Sequence, residues 1–115
     1  MSVRLYLPTT LALLAEQHAT GGLVVPDDAV VSDDGAEEAE YAALMTAADA
    51  SAAMLSGPGR RVVVVAELEK EPEPGWTVPL KRVVAVHADT EDRPVDADPD
   101  DDLAWFATQE LEFLL

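Results

Sequence analysis

Residues 96–102, Asp-Ala-Asp-Pro-Asp-Asp-Asp, set five carboxylates within seven positions, a density that could hold a hard cation. A calcium loop of the EF-hand kind needs oxygen ligands at its first, third and fifth positions, a glycine at the sixth for the turn, and a bidentate glutamate at the twelfth. A register opening on Asp96 supplies Asp98 and Asp100, then meets Asp101 and Ala107 where glycine and glutamate belong. A register opening on Asp98 meets Leu103 and Gln109 there. Neither closes a site, so no metal is expected. The other use of these acids is electrostatic. Asp100–Asp102 after Pro99 suit a helix entry, where carboxylates cap free N–H groups and complement the positive end of the helix.

Tyr41, His87 and Glu110 are the residues whose types permit proton chemistry: a phenol, an imidazole and a carboxyl. Nothing in their spacing forces them together, and no catalytic residue is assigned. His18 and His87 have no metal-ligand spacing, and the chain has no cysteine. No serine lies in a G-x-S-x-G elbow, and neither glycine-rich phosphate pattern occurs. No cofactor is expected.

The elements that must position these groups follow from periodicity. Val3–Leu7 alternates apolar and polar residues as a strand does, and Pro8 should end it. Thr9 and Thr10 precede a helix that stops at Gly21–Gly22, with Leu11, Leu14, Ala15 and His18 inward. Residues 23–35 are ambiguous, with a short strand at Ala29–Ser32 and then Asp33, Asp34 and Gly35 as turn and helix entry. The following long helix carries Tyr41, Leu44, Met45, Ala48, Ala52 and Leu55 at helical spacing. That stripe is expected to face the core, which leaves Ala39, Ala43, Ala47, Ala50 and Ala53 on a back that another copy could approach. Val62–Leu68 is a continuous β-branched run, the mark of a central strand covered on both faces. A Pro-rich connector with Trp76 leads to a strand over residues 80–89, and these last two strands should be antiparallel neighbours.

The final segment, from Leu103, reads as a helix. Its apolar band places Glu110 among Phe106, Ala107, Phe113 and Leu114, while Trp105 falls on the polar side with Thr108, Gln109 and Glu112. A carboxylate inward and an indole outward reverse the usual transfer preferences. Three accounts of Glu110 stay open: a buried partner among Arg4, Arg82, His18, His87 and Tyr41; a place at the band's edge; or a pocket acid with a raised pKa. Trp105 is either an anchor for another chain or covered by the 90–99 linker. The expected architecture is α/β (α+β): one domain over residues 1–115, ordered β-α-β-α-β-β-α, with a mixed sheet of about four strands packed by three helices.

Composition bounds the function. The chain has 115 residues and a formal net charge of −16, with 49% hydrophobic but only 5% aromatic residues. Such a field repels phosphate backbones and anionic lipid, so direct nucleic-acid and membrane binding are disfavoured. No leader pattern or membrane-spanning apolar run occurs, so a cytoplasmic location is expected.

The succession "VRLYLPTTLALL", "EEAEYAALMTAADAS", "RRVVVVAELE", "VPLKRVVAVHADT" and "DDLAWFATQEL" resembles an uncharacterised actinobacterial family of small acidic proteins, a domain of unknown function. The "WFATQEL" and "EEAEYAAL" segments are its most distinctive parts. The resemblance implies a bacterial cytosolic protein and brings no activity or site residues with it.

The leading expectation is a non-enzymatic protein-interaction or regulatory module, self-associating into a homodimer or capturing a protein partner through Trp105, Trp76, Gln109 and Glu112. The first alternative is a small ligand-binding protein or hydrolase-like enzyme using Tyr41, His87 and Glu110 in one pocket. The second is an acidic nucleic-acid mimic that binds a basic protein.

Overall fold

A computed structural model describes residues 2–32 and 35–115. The expected turn at Asp33–Asp34 lies outside the described residues. The elements run β1 (Val3–Thr9), α1 (Leu11–Thr20), β2 (Gly22–Val24), β3 (Val30–Ser32), α2 (Glu37–Ala53), β4 (Val62–Leu68), β5 (Thr77–Pro79), β6 (Val83–Ala88), β7 (Ala104–Ala107) and α3 (Leu111–Leu114). Short 3-10 turns at Leu80–Arg82 and Thr108–Glu110 precede β6 and α3.

The expected α+β class is found, with a five-stranded sheet in the order β3-β1-β4-β6-β7 and a separate two-stranded ribbon of β2 and β5. Every neighbouring pair is antiparallel, which corrects the expectation of a mixed sheet. The reason lies in where α2 crosses. It connects β3 to β4, which point the same way, but β1 lies between them and runs opposite to both. A helical crossover therefore does join co-directional strands, yet no two of them touch.

β4 is the centre, as its valine run predicts: Val62 to Ala66 are all buried, alternately toward two separate clusters. On one face Leu5, Leu7, Val62, Val64 and Val86 pack beneath Leu14 of α1, Leu23 and Val78 of the ribbon, and Leu111 of α3. On the other, Tyr6, Val63, Val65 and Ala85 pack against Ala43, Ala47 and Ala48 of α2. β1 does not stop at Pro8. β3 pairs only as far as Tyr6 while β4 pairs through Thr9, so beyond Tyr6 one edge of β1 is free and a residue without an N–H is tolerated there. Helix α1 has the expected punctuation. The Thr10 hydroxyl accepts the Leu13 N–H at 3.2 Å, and Gly21 takes φ +88°, a left-handed cap that suits glycine.

Helix α2 is rotated about its axis relative to the sequence expectation, so its inner face draws on both the expected stripe and the expected back. Ala43, Ala47, Ala48 and Ser51 are its buried residues, while Tyr41 is 51% exposed and Ala52 is exposed. Ala43 and Ala47 of the expected back face inward beside Ala48 and half-buried Leu44 of the expected stripe, while Ala53 of that back is exposed. A helix whose fully buried positions are alanine and serine can come down close to a surface of branched valines and fill the space at interior density. That closeness is visible at Ser51. Its hydroxyl donates to the Thr9 carbonyl at 2.7 Å and accepts the Val62 N–H at 2.8 Å, tying the helix to the ends of β1 and β4.

Candidate functional site

The acidic run does not enter a helix. Asp100–Asp102 precede β7, and the segment is held mainly by its own carbonyls around two arginines. Arg61 immediately precedes β4, its side chain only 2% exposed, and Asp89 follows β6. The Arg61 Nε and Nη2 donate to the two Asp89 carboxylate oxygens at 2.9 and 2.8 Å, and the Arg61 backbone N–H adds a third bond at 2.8 Å. The same guanidinium then donates to the carbonyls of Pro99 and Asp101 at 3.3 and 2.8 Å. Arg93 reaches the Asp98 carbonyl and the Asp101 carboxylate. Burial disfavours ionised Asp89, but the hydrogen bonds from Arg61 and the charges of Arg61 and Arg93 outweigh it and hold the carboxyl below the usual aspartate range. Asp98 accepts the Asp100 N–H, and Asp102 accepts the Tyr41 hydroxyl at 2.9 Å. Several of the run's carboxylates are thus engaged within the chain. Among the described residues, no three acidic or histidine side chains group as a metal site.

Past this loop, β7 places Trp105 opposite His87 and Ala107 opposite Ala85. Alternation along a strand, not a helix, decides what Trp105 faces. It lies on the α2 side of the sheet and is 60% exposed. Because α2 packs chiefly over β1, β3 and β4, the β6–β7 side of this face is left partly open. The result is a groove of about 390 Å³ whose lining includes Tyr6, Glu37, Glu40, Tyr41, His87 and Trp105. Val84 lines it too. It is the unpaired residue of a β-bulge, since Val65 pairs with Ala85 and Ala66 with Val83. Arg4 is the groove's cation, and it is already shared between Glu40 at 3.1 Å and Glu67 at 3.2 Å. What remains at the rim is acidic and aromatic. Burial pushes the Tyr6 phenol up, with the Glu40 charge adding to it, and the Asp102 hydrogen bond raises Tyr41.

The structure brings Tyr41 and His87 to one groove but sets Glu110 elsewhere. Glu110 shares a separate hollow with Phe106 and Phe113, and its carboxylate accepts the Ala107 N–H at 2.9 Å, bracing the turn before α3. It is exposed, at the edge of the apolar side rather than within it. The single helical face expected for Trp105, Gln109 and Glu112 does not form. Gln109 sits in the 3-10 turn and Glu112 in the one-turn α3, both exposed. Trp76 stands apart beside the ribbon, 40% exposed, with the Lys70 ammonium 5.4 Å from its ring centre.

His87 is half-buried and makes no side-chain hydrogen bond among the described residues. Burial alone lowers its pKa below 6.5. The shift gives a direct expectation. Burial favours the neutral His87 ring, which should titrate below the ordinary 6.5 when followed by its ring proton resonances. The unfolded chain takes up that proton first as pH falls, so His87 removes stability on acidification through the region between its folded and unfolded values.

Tyr6, Glu37 and Glu40 were not singled out from sequence. The signal for Tyr6 was present, since it alternates with Leu5 and Leu7 and must share a face with Arg4. The Arg61–Asp89 pair had no such signal, because nothing local selects one aspartate from 23 acidic residues.

Among the described residues no helix is long and apolar enough to cross a membrane. Compared with known proteins, residues 3–115 match the model of a family of unknown function (DUF6912). No curated protein matches the chain. No solved structure does either.

Proposed function

The chain belongs to this family of unknown function, DUF6912, and from that premise we propose that it is a cytoplasmic protein-interaction module whose groove beside Trp105 receives a basic segment of another protein. The observation that carries this reading is an indole 60% exposed on the open half of a sheet face rimmed by carboxylates. Exposed tryptophans are the side chains most often found to anchor interfaces. Tyr41 adds a second ring at the rim, and rings attract cationic side chains. A chain at −16 steers cations toward itself and repels a second copy, which favours a basic partner over a homodimer. β7 ends the sheet, so an extended segment laid along it could pair with free backbone groups while its side chains enter the groove.

The test uses a Trp76→Phe variant, leaving Trp105 as the sole indole, titrated with short oligo-arginine and oligo-glutamate peptides. Saturable, salt-sensitive quenching by the first and none by the second is expected. Trp105→Ala should weaken capture by about 2 kcal/mol, roughly 30-fold, when measured calorimetrically, with thermal unfolding unchanged. Binding that ignores this substitution, or a dimer that sediments apart only when Trp105 is removed, would replace the basic partner with another occupant.

A further inference from the structure

A second cleft has the opposite electrostatic character. It lies where the chain leaves β4 and returns through the Pro-rich connector to the turn before β6, and it has a volume of about 480 Å³, within the usual range of roughly 300–1,000 Å³ for small-molecule sites. Its wall includes Trp76, buried Pro72 and Val78. Lys70, Arg82 and Glu69 also line it.

The charge distribution makes this placement informative. The chain has 7 basic residues against 23 acidic ones, so an unpaired cation is scarce. Arg4, Arg60, Arg61 and Arg93 each pair with carboxylates. Among the described residues Lys70, Lys81 and Arg82 have no ion pair, and two of those three border this one cleft. Lys70 is also steered there, since its ammonium lies 5.4 Å from the centre of the Trp76 ring.

We propose that this cleft binds a small organic monoanion with a flat apolar body, its carboxylate held by Arg82 and Lys70 and its body laid against Trp76 and Pro72. Arginine presents a fork that matches a carboxylate in plane, and the apolar wall favours a planar group over a hydrated inorganic ion. Glu69 sets the charge. With two cations and one carboxylate on the wall, the cleft complements one negative charge and penalises further ones. The groove beside Trp105 is separate, and this site stands whether or not that groove takes a basic partner.

Naphthalene-2-carboxylate is the probe, with its neutral amide and inorganic phosphate as controls, added to ¹⁵N-labelled protein. The two indole N–H signals are assigned by a Trp105→Phe variant. The Trp76 signal should shift saturably with the carboxylate while the Trp105 signal stays in place. Arg82→Gln and Lys70→Gln, each at an exposed position, should weaken binding about tenfold or more, as expected for losing a charged hydrogen-bond donor. The neutral amide should bind about tenfold more weakly, and phosphate should produce no shift. The proposal is overturned if amide and carboxylate bind alike, if neither substitution changes affinity, if phosphate alone saturates the Trp76 shift, or if no shift appears up to about 10 mM probe.

Discussion

Asp89→Asn is expected to destabilise the fold by about 3–5 kcal/mol, because it leaves the Arg61 guanidinium buried without its counter-charge. The magnitude follows from the setting. The pair is almost wholly buried, with side chains 2% and 7% exposed, so water cannot take over from the missing carboxylate. In a chain of this size the loss should appear as a fall of roughly 10–20 °C in the unfolding midpoint. The loop that follows should loosen with it, since the Pro99 and Asp101 carbonyls bond to the same guanidinium. A companion Arg61→Met, Asp89→Leu double variant should recover part of the loss, because it removes both charges together. Full recovery is not expected, as those carbonyls would then lack a donor. Denaturant unfolding followed by circular dichroism measures both. A single Asp89→Asn variant as stable as the parent would show that the pair does not hold the loop.

The pH dependence of this pair has a definite sign. The folded Asp89 carboxyl lies below its ordinary value of 3.8, so its contribution is complete above that value. It is lost as pH falls from there through the folded pKa, because the unfolded chain binds the proton first. Acid unfolding of the parent should therefore show a component in that range that Asp89→Asn lacks.

Ala47→Leu should be nearly as damaging, at about 2–3 kcal/mol, whereas Ala52→Leu should lie within about 0.5 kcal/mol of the parent. The two substitutions add the same atoms to the same helix. Ala47 has no exposure and sits against the valines of the sheet, where a longer side chain has no space without lifting α2. Lifting it would also strain the two Ser51 hydrogen bonds at 2.7 and 2.8 Å. Ala52 faces solvent. Thermal unfolding of the pair measures which face of α2 is inside. Equal behaviour of the two variants would contradict the orientation described for the helix.

Helix α2 also shows where sequence patterning loses its force. Larger side chains were expected to mark the inner face, and Tyr41, Leu44 and Met45 outrank alanine in area. That ranking assumes a gap wide enough to need filling. Here the sheet presents Tyr6, Val63 and Val65, which already fill their side, so Ala43, Ala47 and Ala48 take the buried positions by approaching closely and Leu44 packs only at their flank. The terminal segment failed for a related reason. Trp105 and Phe106 have strong strand preference, and β6 offered an unpaired edge for residues 104–107, an opportunity that no local periodicity reports.

Local chemistry determined α1 with its Thr10 and Gly21 ends, the doubly covered β4 and the antiparallel return to β6. Each depends on residues near one another in the chain, where capping, turn geometry and alternation act directly. The sheet order, the inner face of α2, the coupling of Arg61 to Asp89 and the separation of Glu110 from Tyr41 and His87 were decided only when distant segments met. The physical reason is that burial and charge pairing depend on which surfaces come into contact. An acidic chain contains many carboxylates able to neutralise one arginine, and only the assembled sheet brings a particular one within 3 Å.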